Sequence, residues 1–306
     1  MSLSIRSTDP RDLVEMVKLV PPFVFAEVDR TSVVELWRRW LDEEIASSRV
    51  ITRRDAGGEF LEGFGMTVFL KHDFVESYLE APQAFLAAQI YERELAGNSV
   101  VMSRQEIAAA NWDAGLYLFV LHYAQRAAAP ESSDFEEVLT VAHTGFREST
   151  EGYDLLALWQ EAFLDEEAAF LGSGGMRVCF DFGEFERAGV NLHGRLMGLT
   201  RAQALSEPPG STVSFAFRTP PPEIGFTPGQ QRVLEIALRG ESDIEIASEL
   251  SVSRDAIKQM WRAIYERVEK SGAKGLLAED YTNHRRRRAL LEYLRNHPEE
   301  LRPLKR

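Results

Sequence analysis

Residues 226–268, FTPGQQRVLEIALRGESDIEIASELSVSRDAIKQMWRAIYERV, carry three helix-start signals at short intervals. Thr227-Pro228 followed by Gln230 reads as an N-cap, a proline at the first helical position and a capping-box partner. Val233, Leu234, Ala237 and Leu238 then form one apolar stripe, and Gly240 stops the helix because it accepts positive φ without a Cβ clash. Ser242 with Glu245 opens a second, short helix that buries Ile246, Ala247 and Leu250. Ser253 caps a third, which reaches about Val268. At roughly 100° per residue, Ile257, Met260, Trp261, Ile264 and Val268 share one side of it, while Arg254, Asp255, Lys258, Gln259 and Arg262 project elsewhere. A helix with those outward residues fits the major groove of DNA, where Arg or Lys reaches guanine and Gln pairs with adenine. A small helical bundle with a merely solvated outer helix has the same periodicity.

In order and spacing, Thr227-Pro228, Val233-Leu234, Gly240, Glu245-Ile246-Ala247, Leu250, Val252-Ser253, Ile257-Lys258 and Ile264-Tyr265 resemble the LuxR-type (GerE-like) helix-turn-helix of bacterial transcription regulators. That resemblance implies binding of double-stranded DNA, commonly as a homodimer. Carried over by position, Lys258 and Arg262 contact bases or phosphates and Gln259 faces the groove; Arg254 and Arg267 complete the expected DNA-binding set. Ile244, Ala256 and Glu266 depart from the pattern, and residues 226–270 hold seven Lys/Arg against eight Asp/Glu, whereas phosphate neutralisation needs several cations. Residues 271–306 hold nine against five, with Arg285, Arg286, Arg287 and Arg288 consecutive. These four either reach flanking phosphates or pair with acids of the chain itself, on a helix that Pro298 should stop near His297.

Charge divides the chain as well. Of the 306 residues, 1–225 carry 19 Lys/Arg and 35 Asp/Glu, whereas 226–306 carry 16 and 13. An acidic sensing or enzymatic domain joined to a nucleic-acid module has this asymmetry. Thr219-Pro220-Pro221-Pro222 is a stiff spacer. The expected domains are thus 1–218, a mixed α/β or α+β sensing or ligand-binding domain; 219–225, a linker; 226–270, an all-α helix-turn-helix; and 271–306, a basic helical extension. A single cysteine, Cys179, excludes an intramolecular disulfide and reads as buried packing. No signal peptide and no apolar run near 18 residues occur, so a cytoplasmic location and no membrane partner are expected.

In the first domain, strands are expected at Glu59 to Leu70, Leu116 to Tyr123, Met176 to Phe182 and Thr212 to Phe217. Helices are expected at Pro10 to Leu19, Ser32 to Ala46, Phe74 to Ala96, Ser103 to Ala110, Phe135 to Phe146 and Tyr153 to Leu171. Gly63-Phe64-Gly65 fits a bulge or a close ligand approach. Gly172-Ser173-Gly174-Gly175 follows a helix, the reverse of a phosphate loop, and reads as a helix stop. His72, His122, His143 and His193 have no metal-ligand spacing. His122 closes a nearly continuous apolar run expected as a central strand and, with Asn111 and Trp112, is a candidate pocket residue. No catalytic residue, metal or cofactor is assigned.

Ser2 to Lys18, a strand then a helix starting at Pro10, and the strand at Gly63 to Leu70 resemble the acetyltransferase (GNAT) fold. The Gln/Arg-x-x-Gly-x-Gly/Ala turn for the acetyl-CoA pyrophosphate is absent. The leading expectation is a DNA-binding transcriptional regulator whose N-terminal domain senses a small effector or dimerises. The alternative is an acyl-CoA-dependent, acetyltransferase-like enzyme with a structural helical tail.

Overall fold

Among the described residues, seven strands form one mixed sheet in the computed structural model: β1 (Ser2–Ser7), β2 (Ala46–Asp55), β3 (Gly58–Leu70), β4 (Leu116–Gln125), β5 (Leu155–Ala162), β6 (Arg177–Arg187) and β7 (Val190–Thr200). Their order is β1-β2-β3-β4-β5-β7-β6. Each neighbouring pair is antiparallel except β4 and β5, which run parallel. The structure describes residues 2–25, 27–55, 58–126, 132–206, 213–273, 275–278 and 281–303. The chain divides into two compact units, one of Met1–Ile107, Gly115–Thr150 and Leu155–Arg218, the other of Ala108–Ala114, Glu151–Asp154 and Thr219–Arg306.

Alternation of side chains along the strands gives the sheet two working faces. Val50, Phe64, Met66, Val68, Phe119 and Trp159 turn to one face and are buried there with Trp37, Phe25 and Tyr91. That face is covered by α1 (Leu13–Leu19), α2 (Arg30–Asp42), α3 (His72–Glu80) and α4 (Leu86–Leu95). After α5 (Arg104–Trp112), the helices α6 (Ser133–Thr150) and α7 (Asp165–Ser173) follow β4 and β5. Arg49, Ile51, Gly65, Thr67 and Val120 point to the face on which α6 and α7 lie. α6 comes close to the sheet because residue 145 is glycine: a Cβ there would run into Ile5 Cδ1. A short α8 (Arg201–Ser206) ends the strand-rich region.

Several expected elements are different. Leu155–Ala162 is a strand where a helix is expected; Leu, Ala, Gln and Glu favour helix, but a central position between β4 and β7 overrides propensity. β2 and β7 are also unforeseen. β2 is rich in Ser and Arg, and β7 is interrupted by Gly194 and Gly198; at Gly198 a Cβ would collide with the Leu158 carbonyl and the Trp159 indole. The expected helix Phe74 to Ala96 is two helices, since Pro82 disfavours the helical conformation of the residue before it, and Ala81 sits at φ −145°, ψ 70°. Ser214–Phe217 is a 3-10 turn, not a strand. Residues 172–175 end α7, with Gly175 at φ 102°.

The second unit holds α9 (Pro228–Leu238), α10 (Asp243–Glu249), α11 (Arg254–Lys270) and α12 (Asn283–Asn296). Thr227, Ser242 and Ser253 each accept a backbone N–H in the first turn, the first two within full capping boxes. Val233, Leu234, Ile246, Ile257, Trp261, Ile264, Val268, Leu290 and Leu294 make its core. Among the described residues, no helix is long and apolar enough to cross a membrane.

Candidate functional site

β4 and β5 pair in parallel only from Leu116↔Leu155 to Val120↔Gln160. Beyond that point β4 runs on to Gln125 against β3, and β5 runs on to Ala162 against β7. The β3–β4 register shifts here, Thr67 facing Val120 and Met66 facing His122, so Leu121 is an extra residue in β4. A bulge bends its strand and increases local twist. The last β4–β5 pair and the bulge are thus consecutive, and the two parallel strands part at their C-terminal ends. Ligands in sheets with parallel strands bind at such ends.

Glu161 lies one residue past the last pair, directed toward α4. Its Oε1 accepts Leu86 N–H at 2.8 Å and its Oε2 accepts Ala87 N–H at 3.1 Å. Both donors are first-turn amides of α4, which favour negative charge. Burial nevertheless outweighs them and pushes the carboxyl up to about 7. Near neutral pH it is about half ionised and able to exchange a proton. Tyr78 stands near it, its phenol raised first by burial and then by the charges of Glu161 and Cys179, and its hydroxyl donates to Gln83 O at 3.0 Å. Cys179, expected buried, is half-buried; burial pushes its thiol up, so it is not an activated nucleophile. None of these residues forms a sequence motif. The one available signal was a Glu inside an apolar run, hidden by reading that run as helix.

On the opposite face, an apolar cavity of about 340 Å³ lies between α6, α7 and the sheet. A more polar groove of about 640 Å³ is lined by Asp165, Glu166, Glu184, Glu186 and His193. His193 is held at both nitrogens, by Asp181 at 2.7 Å and by Arg195 at 2.6 Å, so neither is available to a substrate.

The residues singled out in the sequence are placed as follows. His122 is buried on the α2 and α4 side. Trp37 Nε1–H donates to Tyr91 Oη at 3.0 Å, and the Tyr91 hydroxyl donates to His122 Nε2 at 2.5 Å. Burial drives the imidazole down to about 3, so it stays neutral and structural. Asn111 belongs to the other unit, where its amide donates to Gly152 O at 3.4 Å and accepts Asp154 N–H at 2.7 Å. Trp112 is 48% exposed, with its ring against Gly225. Asn111 and Trp112 thus belong to one unit and His122 to the other, and none of the three lines either cavity. Gly63 backs onto Ala124 O, while Gly65 faces open space.

The cations assigned to DNA are in part used within their own unit. Arg267 Nη1 donates to Gly225 O at 2.8 Å, and Lys258 pairs with Asp255 at 3.0 Å. Arg286 pairs with Glu269 at 3.1 Å; Arg287 pairs with Asp243 at 2.7 Å and lies 4.8 Å over the Trp261 ring. Arg254, Gln259, Arg262, Arg285 and Arg288 are exposed. An arginine held by a carboxylate and stacked on an indole must give up both to reach a phosphate, which reduces the electrostatic gain on which DNA affinity depends.

No family model matches the chain, and no curated protein matches its sequence. Solved structures similar to it include the spermidine/spermine N-acetyltransferase SpeG from Vibrio cholerae in complex with manganese ions, with 12% identity, 67% of this chain and 97% of that chain covered, and a TM-score of 0.38. NAA60 from Arabidopsis thaliana in complex with acetyl-CoA is 10% identical over 65% of this chain and 98% of its own, with a TM-score of 0.41. Likenesses this low do not bear on activity or substrate. The expected DNA-binding regulator of LuxR type is corrected: Arg267, Arg286 and Arg287, assigned to DNA, are engaged within their own unit, while the solved structures reported as similar are acetyltransferases.

Proposed function

We propose that the sheet-bearing unit is an acyltransferase-type module that takes the amide-bearing arm of an acyl thioester into the opening between β4 and β5. One observation carries this reading: the parallel pair ends at Val120↔Gln160 with the Leu121 bulge immediately after it. Among the described residues, no strand pairs with the β5-facing edge of β4 from Leu121 to Ala124. An extended chain containing amides, such as pantetheine, satisfies such an edge by strand addition. Glu161, on the neighbouring strand and poised near neutrality, is the group suited to accept a proton from an incoming amine or hydroxyl.

The nucleoside diphosphate end of coenzyme A fits less well. Gln125-Arg126-Ala127-Ala128-Ala129-Pro130 offers no glycine for a backbone cradle; residues 127–131 lie outside the described residues. The first turn of α6 carries Asp134 and Glu136, which repel an anion there. Arg126 is used elsewhere, donating to Leu61 O at 2.6 Å. The proposal is accordingly confined to the thioester arm, and no step is drawn through the diphosphate.

The test is thermal unfolding and calorimetric titration with acetyl-CoA and, separately, S-acetylpantetheine. Both ligands should raise the unfolding midpoint and bind within tenfold of each other. Ligand at a hundred times its Kd stabilises by about 2.7 kcal/mol. Absence of any shift at millimolar concentrations of either compound overturns the reading.

A further inference from the structure

The cavity of about 340 Å³ under α6 is at the lower end of the range for small-molecule sites, about 300–1,000 Å³. Ile51, Val120, Leu139, Phe146, Phe170 and Met176 contribute apolar wall. Gly65 opens it further, since a Cβ at this position of β3 would meet nothing within 4 Å. Arg49, on β2, lines the same space. Its Nε–H is buried with no hydrogen-bond partner. Among the described residues, the acid paired with its guanidinium is Glu148 of α6, at 3.8 Å and half exposed. A buried, unsatisfied donor on a cation is costly, and the guanidinium fork matches a carboxylate in two parallel hydrogen bonds.

We infer that this cavity is a binding site for an apolar monocarboxylate, a fatty or aromatic acid whose body lies between α6 and the sheet and whose carboxylate pairs with the Arg49 guanidinium. The inference is independent of thioester binding, because the site lies under α6 and needs neither Glu161 nor the β5-facing edge of β4.

Decanoate and its methyl ester serve as probes, titrated calorimetrically into the full chain. Decanoate should bind at least tenfold more tightly than the ester. Arg49→Gln should erase that preference. Gly65→Leu should weaken both ligands at least tenfold by occupying the space that the missing Cβ leaves, and Ala142→Leu, which fills the cavity from α6, should do the same. Circular dichroism melts establish that each variant folds, and either filling variant suffices if the other does not. Equal binding of acid and ester by the unaltered protein, unchanged binding in a folded filling variant, or no binding of decanoate overturns the inference. Decanoate binding without any response to acetyl-CoA or S-acetylpantetheine supports it while refuting the thioester reading.

Discussion

Acidification sets two buried groups of the sheet unit against each other. His122 titrates at about 3 when folded and near 6.5 when unfolded. The unfolded chain therefore takes up its proton first, and the stability that His122 confers, complete above pH 6.5, is lost as pH falls toward 3. Each pH unit in that window is worth about 1.4 kcal/mol, hence about 2.7 kcal/mol between pH 6.5 and 4.5. Glu161 behaves oppositely, because its folded value of about 7 lies above its ordinary 4.5. It penalises the fold at high pH, and the penalty is relieved between pH 7 and 4.5, by up to about 3.4 kcal/mol. Glu161 as a residue is only partly buried, which makes that an upper bound. The wild-type protein should thus hold a nearly level stability from pH 7 to 4.5. Urea unfolding at half-unit steps exposes each arm separately. Glu161→Gln removes the rising arm and should lose about 2.7 kcal/mol between pH 6.5 and 4.5. His122→Gln should instead gain up to about 2.7 kcal/mol over the same range. A flat profile in both variants would refute the burial assigned to these groups.

Three further outcomes test the packing. Gly198→Ala forces a methyl into the Leu158 carbonyl and the Trp159 indole, and should cost about 1–3 kcal/mol in urea unfolding. Trp37→Phe removes the donor to Tyr91 Oη while keeping most of the apolar volume; a loss of about 1 kcal/mol is expected, and no loss would show that the hydrogen bond adds nothing. Ser253→Ala deletes the cap on α11 and should lower stability by about 1 kcal/mol, measurable as a shift of the urea midpoint.

The helices of the second unit were readable residue by residue, since Thr227, Ser242 and Ser253 act on amides three positions away and need no tertiary information. What those helices do was not readable. The same Arg-rich run that suggests phosphate contacts also suits pairing with Glu269 and Asp243, and the partner of a long, flexible cation is settled by the fold. Glu59 to Leu70 and Leu116 to Tyr123 announced themselves as strands through length and apolar content. β5 did not: its Leu, Ala, Gln and Glu are good helix formers, and only its position between β4 and β7 makes it a strand. That misreading concealed the candidate site, because the parting of β4 from β5 and the placement of Glu161 exist only once Leu155–Ala162 is extended. Arg49 was silent, an ordinary cation until β2 places it in the cavity, and Gly65 was legible only as part of a Gly-Phe-Gly bulge or close ligand approach, with nothing to say which space it borders.

Ala108–Ala114 and Glu151–Asp154 belong to the unit that holds the C-terminal helices. Within it, Arg302 stacks on Tyr153 and donates to Glu151 O, Gly152 N–H meets the Thr219 hydroxyl at 3.3 Å, and Trp112 abuts Gly225. Stopping translation at Arg218 would thus leave behind two orphaned stretches whose neighbours had been deleted. Silence from such a fragment toward a ligand would report the damage at the cut, and only the intact polypeptide gives a fair hearing to either binding proposal.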